Sequence, residues 1–90
     1  MATNFNFYEF NIILHGKYTE IELNTIAENY GSDSLGADCT VGMSNQIVTI
    51  QYSKRASSLL KAIDLAIDKL DRLKLPIDKV CIERHMLKYL

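Results

Sequence analysis

An excess of either positive or negative charge is what this sequence most lacks. Ten Lys and Arg stand against eleven Asp and Glu, a formal net charge of -1. The chain therefore presents no global positive field to phosphate, and nucleic-acid binding is unsupported. Cysteine is nearly as scarce: Cys39 and Cys81 stand far apart with no CxxC or Cys/His spacing. That pattern reads as buried, reduced thiols rather than a disulfide or a zinc site, and places the protein in the cytoplasm. A long apolar run is missing too. The stretch from Phe5 to Leu14 is broken by Asn6, Glu9 and Asn11, and it lacks a basic flank and a small-residue cleavage site, so neither a signal peptide nor a membrane span is expected. There is no tryptophan and only one proline, Pro76. What is present is an ordinary globular composition, 48% hydrophobic and 23% charged over 90 residues, enough for one core and one domain covering residues 1–90.

The apolar pattern changes period four times along the chain. From Phe7 to His15, Tyr8, Phe10, Ile12 and Leu14 alternate onto one face of a strand and Phe7, Glu9, Asn11 and Ile13 onto the other. The even face is the expected core. Gly16 ends that strand, and Thr19-Glu20-Ile21-Glu22 has the form of a capping box. A helix follows with Leu23, Ile26, Ala27 and Tyr30 on one side and Gly31 as its stop. Gly31 to Gly36 reads as a loop and a place for partner contact. Cys39, Val41 and Met43 then alternate inward, Ser44-Asn45-Gln46 turns, and Val48, Ile50 and Tyr52 alternate inward on the return, which is a β-hairpin over about 38–52. Ser57 or Ser58 caps a second helix whose stripe is Leu59, Ala62, Ile63, Ala66, Ile67, Leu70 and Leu73, with Lys61, Asp64, Asp68, Asp71 and Arg72 on the wet side. Pro76 precedes a last strand from Lys79 to Arg84 that points Val80 and Ile82 inward. Met86, Leu87, Tyr89 and Leu90 form an apolar tail with no assigned place.

Strand, helix, strand, strand, helix, strand is the order of a split β-α-β. The expected fold is therefore α+β: a ferredoxin-like βαββαβ sandwich, with an antiparallel four-stranded sheet in the order fourth, first, third, second and two helices on one face. Its other face is open. Phe7, Ile13, Ile47 and Thr49 belong to that open face, an apolar surface that favours self-association, as a homodimer, or a protein partner.

The remaining constellations offer little chemistry. RNA-recognition domains of this topology stack bases on aromatics of the central strands, but the third strand's one aromatic, Tyr52, falls on the core side. His15-Gly16-Lys17-Tyr18 supplies neither an arginine-bearing phosphate loop nor paired cysteines. His15 and His85 lie near the ends of neighbouring strands, yet two histidines with no third ligand make a weak metal site. Lys54, Arg55 and Lys61 form a basic spot at the entry to the second helix, a candidate contact for an anion or an acidic partner. Asp64, Asp68 and Asp71 suit the wet side of a helix, with no second cluster to complete an acid/base pair. No catalytic, cofactor or metal residues are assigned.

Gly-Ala-Asp-Cys-Thr-Val-Gly from Gly36, Tyr52 and Ala56 at the strand exit, and Ser58, Leu59, Ala62, Ile63, Ala66 and Ile67 in the second helix together resemble a family of small bacterial proteins. In that family a domain with a Cys-Asp-Asp-x-Thr-x-Gly hairpin, an aromatic-x-Arg-x-Ala strand exit and a Ser-Leu-x-x-Ala-Ile-x-x-Ala-Ile helix precedes a helix-turn-helix DNA-binding segment. Here Lys54 replaces the usual arginine, Arg55 stands where glutamate is common, and Leu90 is reached where a helix-turn-helix would begin, so DNA binding is not expected to carry over. The resemblance implies an accessory domain of prokaryotic or phage regulatory proteins. The expected function is a non-catalytic regulatory or protein-interaction domain, antitoxin-like or part of a bacterial or phage conflict system. Its alternatives are a small-molecule or nucleotide-sensing module and a nucleic-acid-binding accessory domain.

Overall fold

The computed structural model describes residues 6–31 and 39–90, with side chains from 7 to 28 and from 39 onward. Past Gly31, the expected contact loop lies outside the described residues, as do Asp38 and the Tyr30 side chain. Six main elements follow in the order β1 (Asn6–Leu14), α1 (Glu20–Gly31), β2 (Cys39–Ser44), β3 (Ile47–Ala56), α2 (Leu59–Arg72) and β4 (Ile77–Ile82). The four strands form one antiparallel sheet in the order β2-β3-β1-β4.

Parity decides which side of the sheet is core. Tyr8, Phe10, Ile12 and Leu14 of β1 and Val48, Ile50, Tyr52 and Ala56 of β3 are all buried, and with Ile26 of α1 and Leu59, Ala62, Ala66 and Leu70 of α2 they make one cluster. Both helices thus lie against the even-numbered face. Phe10 pairs with Tyr52 across the strands and their rings stack, centroids 5.1 Å apart and 13° from parallel.

Local signals set the element ends. Thr19 N–H donates to Glu22 Oε1 at 2.9 Å, and Glu22 N–H donates back to Thr19 Oγ1 at 3.2 Å, closing the capping box at the start of α1. Asn45 and Gln46 both have positive φ, 51° and 65°, the conformation that a two-residue hairpin turn demands. Ser58 caps α2 by accepting from Lys61 N–H at 3.1 Å. At the other end of α2, Leu75 N–H donates to Leu70 O and Lys74 N–H to Asp71 O, each at 3.0 Å, with Lys74 at φ 59°. That is a Schellman stop with lysine where glycine is usual.

Several boundaries and faces differ from those expected. β3 runs four residues past Tyr52, because the first half of β1 extends the pairing to Asn6↔Ala56. β4 starts at Ile77 rather than Lys79, since a register shift between Ile13 and Leu14 brings Ile77 opposite Leu14. Leu73 is the C-cap of α2 and is exposed, so it does not belong to the buried stripe; Ile63 and Ile67 only flank the core. Neither cysteine is buried; both are half-buried, and Cys81, opposite Asn11, lies on the open face.

The apolar tail has a place. Arg84–Tyr89 is a 3-10 helix, with Met86 buried and Tyr89 edge-on to Tyr8, centroids 5.3 Å apart at 80°. His85 Nε2 lies 3.1 Å from Glu9 Oε2. The tail thereby covers the stretch of β1 that precedes the first β4 partner, Phe10↔Ile82.

Candidate functional site: the open sheet face

The cross-strand register maps the uncovered face row by row. Phe7 stands opposite Arg55, and Glu9 opposite Ser53. The next row is Thr40, Gln51, Asn11 and Cys81, and the one after it Gly42, Thr49, Ile13 and Lys79, while Ile47 stands opposite Ser44.

The structure therefore brings three of the four expected contact residues together and leaves the fourth apart. Ile13 and Thr49 are direct partners, and Ile47 is the diagonal neighbour of Ile13, within reach on the same face. Phe7 is six residues from Ile13 along one strand, roughly 20 Å, with Glu9, Asn11, Gln51 and Ser53 between them. Alternation placed all four on one face; it could not place them side by side. The face carries two apolar spots separated by a polar belt, not one patch.

The two spots differ in character. Ile13 and Thr49 are half-buried, Ile47 is 36% exposed, and Gly42 leaves open space beside them, with no atom within 4 Å of where a Cβ would sit. Phe7 is 60% exposed and walls a shallow depression of about 420 Å³ that Glu9, Cys39, Thr40, Gln51, Tyr52 and Ser53 complete. Both signs of charge flank this end: Arg55 across from Phe7 and Glu9 next along β1, with His85 against Glu9.

The expected basic spot does not assemble. Lys54 and Arg55 are successive strand residues, so their side chains leave opposite faces of β3. Lys61 lies on α2 beside Asp64, Asp68 and Asp71 along a wet groove, where Arg72 already bridges Asp68 at 3.0 Å. His15 and His85 are also parted, because β1 and β4 run antiparallel. His15 N–H donates to Pro76 O at 2.9 Å at one end of the sheet, and His85 meets Glu9 at the other. Among the described residues, no three His, Cys, Asp or Glu side chains converge. No helix among them is long and apolar enough to cross a membrane. Tyr18, at the entry to α1, donates its hydroxyl to His15 O at 3.2 Å; burial, with the Glu22 carboxylate beside it, pushes its pKa up.

The Glu9–His85 contact was not legible in the sequence, because no local pattern joins groups 76 positions apart. The tail's docking did leave a trace. In a 3-10 helix residues i and i+3 eclipse, and Met86 and Tyr89 have that spacing.

Of the residues that carried the family resemblance, Tyr52, Ala56, Leu59, Ala62 and Ala66 are core, Ser58 is a helix cap, Ile63 and Ile67 flank the core, and Thr40 and Gly42 lie on the open face. No family model, curated protein or solved structure matches this chain.

Proposed function

We propose that this chain is a ferredoxin-like, non-catalytic regulatory domain that self-associates and binds a protein partner through its open sheet face. Read from the β4 edge, the strand order is fourth, first, third, second, and both helices pack on the opposite face, which supports that reading. The observation that carries the reading is the exposure of Phe7, 60%, on a face with Ile13, Thr49 and Ile47 at its far end. Large apolar side chains on a helix-free sheet face favour burial against another protein surface. The resemblance to an accessory domain of bacterial regulatory proteins points the same way, toward contact rather than chemistry, in the cytoplasm. Light scattering on the native chain and on a Phe7→Ser/Ile13→Ser variant tests the reading: an assembling native chain and a folded, monomeric variant support it, and a native chain that stays monomeric when concentrated rejects self-association.

A further inference from the structure

The Phe7 corner of the open face is complementary to itself. Phe7 pairs with Arg55 and Glu9 with Ser53, so Glu9 and Arg55 are diagonal neighbours, about 7–8 Å apart across the strands. A two-fold axis lying in the plane between two such faces, and bisecting the line from Glu9 to Arg55, sets each Glu9 over the other copy's Arg55. The same axis passes close to Phe7, because Phe7 is nearly equidistant from the two charged positions. We infer that this corner is an isologous self-association surface: Phe7 packs against Phe7 of a second copy, flanked by two reciprocal Glu9–Arg55 ion pairs. The inference rests on the self-association reading above and assigns that activity to one end of the face.

The occupant follows from charge. Opposite signs placed diagonally about an exposed aromatic each meet an opposite sign when the surface meets its own copy, whereas the Gly42–Thr49–Ile13–Lys79 row at the other end carries one cation and no opposite charge in that row. The axis runs oblique to the strands, so the two sheets cross steeply, at roughly 70° given the usual strand spacing and rise. Only the corners overlap, and the Ile13 end stays outside the contact, open to a different protein. An overlap of this size lies at the small end of specific interfaces, so the dimer is weak and concentration-dependent.

Reciprocal charge reversal tests this. Sedimentation velocity over a concentration series, with circular dichroism as the folding control, compares native protein, Glu9→Arg, Arg55→Glu and their equimolar mixture. Each reversal alone should weaken dimerisation at least tenfold, since both pairs become like-charged. The mixture should form the heterodimer, in which both pairs are opposite again. His85→Ala and Ile13→Ser/Ile47→Ser should leave the native dimer in place. Should a reversal unfold, Glu9→Gln and Arg55→Gln give the same reading with a smaller loss. Dimerisation that persists in both reversals, or a mixture that stays monomeric, overturns the inference and leaves self-association standing elsewhere on the face. A native chain that never dimerises overturns both.

Discussion

The ring of Tyr89 stands edge-on to the ring of Tyr8, so the last residues of the chain are packed onto the first strand. Met86 is buried one 3-10 turn earlier, and Leu87 between them is exposed. Met86→Ala should cost about 2 kcal/mol or more, as truncations of buried long side chains do, and Leu87→Ala should stay within about 0.5 kcal/mol of the native protein. Urea melts of the two variants check this, and equal effects would show that the tail does not contribute to the core.

On α2 the ranking follows burial rather than position in the apolar stripe. Leu59 and Leu70 are fully buried, while Ile63 and Ile67 are half-buried. Leu70→Ala should cost about 2–5 kcal/mol, more than Ile63→Ala or Ile67→Ala, and Asp64→Ala on the wet side should be close to neutral. Denaturant midpoints in the reverse order would mean that the helix is rotated against the sheet.

Much of this fold is legible from alternation and caps. The even face of β1 and the Thr19 and Ser58 caps follow from spacing, because parity and hydrogen-bonding side chains act within a few residues. What spacing did not reveal depends on partners distant in sequence. β3 extends to Ala56 because β1 is there to pair with it, the two thiols are half-buried rather than buried because their strands lie at the edges of the sheet, and Phe7 is parted from Ile13 because face and neighbourhood are different properties. The candidate site was thus half legible: its face from period two, its division into two spots only from the assembled register.

Lys74 is a position where a gain in stability is expected. It holds the left-handed conformation, φ 59°, at the residue after the α2 C-cap. A β-carbon is unfavourable there, and glycine is the usual occupant. Lys74→Gly should raise stability by about 1 kcal/mol, read as a higher midpoint in a thermal melt. A loss would mean that the lysine side chain contributes more than its backbone conformation costs.

Cys39 and Cys81 lie on the two edge strands, three inter-strand steps or roughly 14 Å apart, and on opposite faces. A bridge needs Cα atoms within about 7 Å. Thiol titration of denatured, unreduced monomer should return both cysteines as reduced thiols; an intramolecular disulfide would contradict the strand order.

The central claim is that the open sheet face is where this protein meets others of its kind. Light scattering coupled to size exclusion, run on native protein and on Phe7→Ser/Ile13→Ser across a concentration series, tests it most directly. The account predicts a native mass that climbs toward twice the monomer and a variant that stays monomeric with its core intact, since Tyr8, Phe10, Ile12 and Leu14 are untouched. A native chain that remains monomeric at the highest concentration, or a variant that assembles as the native chain does, would contradict it.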